Sequence, residues 1–379
     1  MSEHFDIVIC GDIVGLDTLF AEHLLSLFPN MKVLVIRKKW GKKQSIKDLP
    51  EYFHIYDLNE IRYVDNSYQF IQLCKKSRLV LSIGGAFITF SRLYYFLKSL
   101  MKLPPLINLT VGSDFLESLP RSDWFGYIYR NFLNFSSMNI IGAAPQHIEL
   151  AIRRKVKNVY LMNIPYMVPV LEKVPENNKE IIFFHPSHLD FGISDNGKHR
   201  KIHKGNDKFL KAFIKALDSG LNAKCIILDR GADKELAKQM IKEKGYENQF
   251  LWKPHLDRKE YLAVIRSSDV VVDQFVIGAI GMIALESMSQ EKPVITYVNK
   301  PALRVQYNDD LPPVLNGYSE SDIYDRIMEC GDRKYLNELG QKGRDWVIRN
   351  HRWDKCLDEF LFHYQRLTGH CLINYVEEK

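Results

Sequence analysis

Cysteine is scarce, and what there is forms no pattern. Six occur in 379 residues, at Cys10, Cys74, Cys225, Cys330, Cys356 and Cys371, and none stands in a C-x-x-C pair. That excludes a disulfide framework and a zinc ribbon, and it fits free thiols in a reducing compartment. Long apolar runs are missing too. The longest uncharged apolar stretch of note, Leu79 to Ser91, has 13 residues and contains two glycines, whereas a bilayer-spanning helix needs about 20. The opening residues Met1 to Asp6 lack the basic start and apolar run of a secretory signal. The expectation is a cytoplasmic chain, at most peripheral to the cytoplasmic face of a membrane. No H-E-x-x-H, paired D-x-D, G-x-S-x-G elbow, Walker loop or G-x-G-x-x-G fingerprint is present. His199 and His203 are spaced for one helix face, but they sit in a polar stretch and read as solvated. No metal site is expected. Internal repeats and low-complexity segments are also absent.

What is present is an ordinary globular composition, 46% hydrophobic and 26% charged. The length suits two domains of about 150 residues each. The net charge of +6 is unevenly placed: residues 1–170 hold 20 Lys and Arg against 14 Asp and Glu, and the remainder holds 32 of each. A basic first half attracts phosphates or an anionic surface.

Short apolar runs alternate with amphipathic segments. Phe5–Cys10, Lys32–Ile36, Leu79–Ile83, Leu106–Leu109, Met138–Ile141 and Val159–Met162 read as buried strands. Leu16–Phe28, Ser91–Met101, Trp124–Phe135 and Gln146–Lys155 read as helices between them. The alternation pauses from Asn163 to Asn178, where Pro165, Pro169 and Pro175 mark a linker. It restarts with strands at Ile181–His185, Ala223–Leu228, Phe250–Trp252, Val270–Asp273 and Pro293–Tyr297. Helices are predicted at Asn206–Leu217, Asp233–Lys244, Arg258–Ser267 and Ala279–Ser289, and a long closing helix at Trp353–Leu367. Such alternation implies parallel sheets covered on both faces. The predicted fold is α/β, with two Rossmann-like domains facing a central cleft. Their predicted bounds are 1–170 and 171–352, and 353–379 forms a helix crossing back to the first domain. Ligands of such sheets bind at the strand carboxyl ends, beside helix N-termini.

Two stretches of the second half carry chemistry. In the first, a β-branched strand ends at Asp273, and Gly278 and Gly281 then allow a tight loop that brings backbone N–H groups near a ligand. The helix that follows, which includes Met282, favours negative charge at its start. Glu286 falls within it among apolar neighbours, where a carboxylate can accept two hydrogen bonds from a ribose diol. In the second, the strand Ile181–His185 is followed by a polar insert, Leu189 to His203, and then by Lys204-Gly205 before an amphipathic helix. A lysine beside a helix N-terminus can clamp a diphosphate and neutralise charge growing on it. In the first half, Gly11-Asp12-Ile13-Val14-Gly15 follows strand one, where glycines suit close approach to an acceptor or a phosphate.

Leu285-Glu286-Ser287-Met288 followed by Pro293-Val294-Ile295 resembles the "LEAM…PVI" donor motif of GT-B glycosyltransferases, particularly family 4, the group 1 enzymes. The specific match covers about residues 181–300. The resemblance implies a GT-B fold and transfer of a sugar from a nucleotide-sugar donor, such as a UDP- or GDP-sugar, to a hydroxyl acceptor. The acceptor would be a glycan, a lipid-linked glycan or a glycoconjugate. It implies retention of anomeric configuration and no cofactor or metal. Glu286 takes the ribose-binding role, and Lys204 and Gly205 match the family's "KG" element. Gly278 stands where the family has its first Glu, so a usual sugar-hydroxyl contact is missing or made by backbone groups. Gly112-Ser113-Asp114 resembles the "HGSD"-like loop, with Val111 at the usual His position. Asp114 is then the candidate for orienting or deprotonating the acceptor. Arg230 and His255 follow strands whose loops touch the phosphate and base in the family.

The candidate catalytic set is therefore Asp114, Lys204 and Glu286. Gly205, Arg230, His255, Gly278, Gly281 and Met282 join Glu286 on the donor side, and Gly11, Asp12, Gly112 and Ser113 lie on the acceptor side. Arg37-Lys38-Lys39-Trp40-Gly41-Lys42-Lys43 reads as a cationic loop, and Trp124–Leu133 as aromatic on most sides. Both suit membrane contact, and nucleic acid is not an expected partner. Two other readings stay open: a sugar-nucleotide epimerase of the same fold, and a non-catalytic sugar-nucleotide or glycan-binding relative.

Overall fold

The structure is a computed structural model that describes residues 4–11, 16–38, 61–83, 103–110, 115, 119–141, 145–166, 168–169, 171, 180–191 and 204–371. The chain divides into two compact units. Unit 1 comprises Met1–Gly142, Gln146–Ile164 and Trp353–Lys379; unit 2 comprises Ala143–Pro145 and Pro165–Arg352.

Unit 1 is built on seven parallel strands: β1 (Phe5–Cys10), β2 (Val33–Lys38), β3 (Ile61–Val64), β4 (Ser77–Ile83), β5 (Leu106–Leu109), β6 (Met138–Ile141) and β7 (Val159–Leu161). They lie in the order β3-β2-β1-β4-β5-β6-β7. The helices described are α1 (Leu16–Leu27), α2 (Ser67–Lys75), α3 (Trp124–Phe135), α4 (Pro145–Arg153) and α12 (Trp353–Thr368). A strand buried on both faces is mostly apolar, and β1 shows the consequence. Val8 and Cys10 enter one core with Phe70, Phe132 and Leu133, while Ile7 and Ile9 enter the opposite core with Phe20 and Leu24. The closing helix α12 supplies Trp353, Leu357, Phe360, Leu361 and Tyr364 to that second core. Their spacing puts them on one helical stripe. The Tyr364 hydroxyl donates to the Asp6 carbonyl at 3.4 Å.

Unit 2 has six parallel strands: β8 (Ile181–His185), β9 (Ala223–Leu228), β10 (Phe250–Lys253), β11 (Val270–Val272), β12 (Val294–Thr296) and β13 (Leu315–Asn316). Their order is β10-β9-β8-β11-β12-β13. Its helices are α5 (Asn206–Asp218), α6 (Lys234–Glu243), α7 (Arg258–Ser267), α8 (Met282–Ser289), α9 (Lys300–Tyr307), α10 (Glu320–Glu329) and α11 (Arg333–His351). Phe183 faces the large core with Phe209 and Phe213, and Phe184 the smaller one with Leu228 and Ile265. α11 packs closely on α8: a side-chain carbon at Gly340 would lie 2.0 Å from the Glu291 carbonyl oxygen. Where the chain leaves and re-enters unit 1, Tyr166 bridges Arg352, and its N–H donates to the His351 carbonyl at 2.7 Å.

Several elements depart from the sequence expectation. β3 and α2 were not foreseen, since the half-exposed Ile61-Arg62-Tyr63 edge carries a weak apolar signal. α8 begins at Met282 rather than Ala279, because Gly278 adopts φ 77° and the loop before it is held in a non-helical shape. The predicted helix Ser91–Met101 lies outside the described residues. Arg37 is not part of an exposed cationic loop. It lies buried within β2, and its Nε and Nη2 grip the two Asp17 carboxylate oxygens at 2.9 and 3.0 Å. A bidentate pair of this kind spends the charge inside the protein.

Candidate active site

The order of the second sheet reverses between β8 and β11, and at such a point neighbouring loops part to leave a crevice at the strand carboxyl ends. Beyond β8 come Pro186 and Ser187, and beyond β11 come Asp273 and Gln274. Two helices open here, and neither carries a side-chain cap. α5 starts from Gly205, in the left-handed conformation at φ 70°, and α8 starts from Gly281. By contrast α7, α9, α10 and α11 are capped by Asp257, Asn299, Ser319 and Asp332, each accepting a hydrogen bond from a first-turn N–H. Apart from the Lys208 N–H, which donates to the Gly205 carbonyl at 3.1 Å, the first-turn N–H groups of α5 and α8 gain no partner from a capping side chain, and together with the helix dipoles they favour an anion.

The two openings are physically joined. The Phe275 N–H donates to the Lys204 carbonyl at 2.8 Å, and Lys208 Nζ reaches the Phe275 carbonyl at 3.4 Å. Lys204 is half-buried. Asp273 is buried and accepts from the Ser187 hydroxyl at 3.3 Å. Burial raises its carboxyl pKa above the ordinary carboxylate value, and the Lys204 charge opposes that rise. Its Oδ2 lies 2.9 Å from where a side-chain carbon on Gly281 would stand, so only glycine fits beside it. At Gly278 a side-chain carbon would meet Tyr297 and Asn299 at 3.1 Å. With φ at 77°, a glutamate at 278 would be strained and would have to push these neighbours aside. Glu286 is buried, about one turn into α8, among Ala284, Leu285 and Met288.

The other residues expected on the donor side are placed as follows. Arg230 donates Nε to the Pro186 carbonyl at 3.1 Å, bracing the turn after β8. His255 is exposed in the loop between β10 and α7, and its charge is felt by His188. Met282 opens α8 half-buried, against the cluster of Leu285, Leu303 and Trp346. In unit 1, Gly11 follows β1 with φ 94°. Asp12, Gly112, Ser113 and Asp114 lie outside the described residues, as does the insert from 192 to 203.

Sequence reasoning passed over His185, Ser187, Asn206 and Gln274. Their signal is position alone: polar residues at the ends of apolar strands, or at the start of a helix. His185 is fully buried, stacked on Phe209 with ring centroids 5.3 Å apart, and beside Asn206. Burial first, and then the Lys204 charge, holds its pKa down at about 4. A depressed histidine stabilises the fold above the ordinary value of 6.5 and loses that contribution as pH falls toward 4. The loss is on the order of 3 kcal/mol. Thermal melts of His185→Phe, which keeps the ring stack without titrating, should show a smaller fall in Tm between pH 6.5 and 4 than the parent. An unchanged fall would remove His185 from the acid response.

Residues 198–341 match the family described as glycosyl transferases group 1. The chain carries a group 1 glycosyltransferase domain and has the GT-B fold. Solved structures share its fold at low identity. Sucrose-phosphate synthase from Thermosynechococcus elongatus is 14% identical over 97% of this chain and 100% of that one, with a TM-score of 0.66. Anabaena HepE, solved with UDP and glucose, is 12% identical over 96% of this chain and 100% of that one, with a TM-score of 0.69. A glycosyltransferase from Rickettsia africae is 14% identical over 97% and 100%, with a TM-score of 0.67. No curated protein matches this chain by sequence. The matched span begins inside the insert and ends in α11. It therefore contains Lys204, both uncapped helix starts and Glu286.

Proposed function

We propose that the protein transfers a sugar from a UDP- or GDP-sugar to a hydroxyl of a glycan or lipid-linked acceptor, with retention and without a metal ion. The observation that carries this reading is the convergence of two uncapped helix N-termini with Lys204 at the switch point of the second sheet. N–H groups and one ammonium aimed at a single edge suit a diphosphate, and the charge that develops when the sugar–phosphate bond breaks can be met there electrostatically. Glu286 holds the ribose. HepE, which shares the fold, was solved with UDP and glucose, and this favours UDP as the first nucleotide to test. Asp114 and the loop after β1 serve the acceptor.

Incubation with radiolabelled UDP- and GDP-sugars tests the reading. Transfer to an added glycan or lipid-linked acceptor supports it, and NMR of the product's anomeric proton reports retention or inversion. Release of free nucleotide together with an epimerised sugar, or binding with no turnover, overturns it.

We also propose that unit 1 touches an anionic membrane through α3 and α4. On α3, Tyr129, Phe132 and Leu133 are buried, while Trp124, Tyr127 and Phe135 are 68, 53 and 48% exposed. Trp124 and Tyr127 stack at 5.6 Å. The segment that follows α4 is tied by Arg154 Nη2 to the Pro120 carbonyl at 3.0 Å and by the Lys157 N–H to Asn134 Oδ1 of α3 at 3.1 Å, and Ile152, Arg153, Lys155 and Lys157 are exposed. Aromatic rings beside basic groups suit an anionic interface, each cation adding about 1 kcal/mol. Among the described residues no helix is long and apolar enough to cross a membrane. Co-sedimentation with phosphatidylglycerol vesicles should fall about tenfold in a Trp124→Ser, Tyr127→Ser double variant. Binding that is equal on phosphatidylcholine, or unchanged in the variant, would count against this surface.

A further inference from the structure

The loop from Phe275 to Gly281 has no polar side chain of its own. A loop of backbone groups and small apolar residues does not choose one shape by itself, because glycine widens its options and nothing local pins its peptides. Yet this loop must present N–H groups in fixed directions if it is to hold an anion at the start of α8. The shape comes from Gln274. Its side chain is buried at 3% exposure. The amide oxygen accepts from the Val276 N–H at 2.9 Å and from the Ile277 N–H at 2.6 Å. The amide nitrogen donates to the Ala279 carbonyl at 3.3 Å and to the Tyr297 carbonyl at 2.9 Å. Two acceptances and two donations fill the whole hydrogen-bonding capacity of a primary amide.

The backbone of the same residue is equally engaged. Its carbonyl accepts from the Thr296 hydroxyl at 3.0 Å and the Tyr297 N–H at 2.8 Å. Gln274 thus bolts the loop to the end of β12. The far side of the loop is held by the Gly278 carbonyl, which accepts from the Asn299 N–H at 2.8 Å. The near side is held by Lys204 and Lys208 through Phe275.

We infer that Gln274 is a positioning residue for donor binding: its amide moulds the loop from Phe275 to Gly281 so that the start of α8 faces the diphosphate. The inference rests on the donor reading given above. No group of Gln274 touches the donor; it acts through the peptides it holds. Only an amide can do this. A glutamate at 274 keeps the size and both acceptors, but it faces two carbonyl oxygens with an oxygen of its own. A methionine keeps the length and drops all four bonds.

The test uses the full-length chain, with UDP and GDP as probes in isothermal titration. Gln274→Glu and Gln274→Met should each weaken binding of the preferred nucleotide at least about tenfold. In turnover assays the loss should appear in donor KM, with acceptor KM unchanged. Hydrogen exchange at the Val276 and Ile277 amides should quicken in both variants while α5 and α10 keep their protection. Gln274→Glu should recover part of its affinity relative to wild type as pH falls, because a protonated carboxyl regains one donor. Wild-type affinity in both variants overturns the inference. So does a collapse of the whole unit in both, with protection lost equally in α5, α10 and the loop, since that marks a core residue only. If the wild-type chain binds neither nucleotide, the donor reading itself fails, and the inference fails with it. Wild-type binding with unaffected variants overturns the inference alone.

Discussion

Lys204→Ala is expected to leave sugar transfer near background, with kcat reduced by about 10²–10³-fold or more and Tm little changed. The magnitude is that of removing one group which meets charge developing in the transition state. The Lys204 carbonyl is fixed by the Phe275 N–H and its neighbour Gly205 opens α5 without a cap. The backbone at 204 therefore stays in place when the side chain is cut back, and the two helix starts remain open. What disappears is the ammonium. The diphosphate can still bind at the N–H groups, so nucleotide affinity should fall less than kcat. Lys204→Arg should restore part of the rate, since the charge returns with a bulkier, planar head. Single-turnover assays with the preferred donor check this, and wild-type turnover in Lys204→Ala sinks the role.

Glu286→Ala should act on the other arm, binding. Charged hydrogen bonds are worth about 1.5–3 kcal/mol each. Two of them to a ribose diol correspond to roughly a hundredfold or more in nucleotide Kd. The carboxylate is 3% exposed and held in α8 by the packing of Leu285 and Met288. It thus has little freedom to lose on binding. A 2′-deoxy nucleotide separates this role from a general loss of structure. It should bind the wild-type chain more weakly than the ribonucleotide, and Glu286→Ala should bind the two alike. A variant that still discriminates the 2′-hydroxyl would place the ribose elsewhere.

The polar groups at this edge divide the work by position. Asp273 and Ser187 form the buried floor beside Gly281, where any side chain would strike the carboxylate. Arg230 holds the turn after β8 by its Pro186 contact. His185 stays neutral under the floor at neutral pH, with its pKa near 4. In the proposed reading, Lys204 and the uncapped starts of α5 and α8 meet the anion.

The strands were legible because parallel sheets bury both faces, and runs such as Ile181–His185 and Val270–Val272 have no other good use in water. The half-exposed β3 and the two-residue β13 were not legible, since their apolar signal is too weak or too short. Helix starts capped by their own sequence, such as Asp257 before Arg258, could be read locally. The start of α8 could not. Its position depends on Gln274 reaching across to Ala279 and Tyr297, a contact between segments that no local pattern encodes. The same reason explains Arg37. In sequence it heads a run of cations, and only the fold brings Asp17 against it.

Taken alone, then, the sequence determined the α/β alternation, the two-domain organisation it implies and the residues that point to a nucleotide: Lys204, Gly205, Gly281 and Glu286. Periodicity and short motifs carry that much because they reflect burial and backbone freedom within a few residues. The tertiary structure alone decided which of those residues meet at one edge, that Tyr297 and Asn299 crowd any side chain at 278, and that the loop before α8 is tied down by the buried Gln274 amide. Those outcomes depend on hydrogen bonds and close contacts between strands distant in sequence, and such contacts exist only once the sheet has formed.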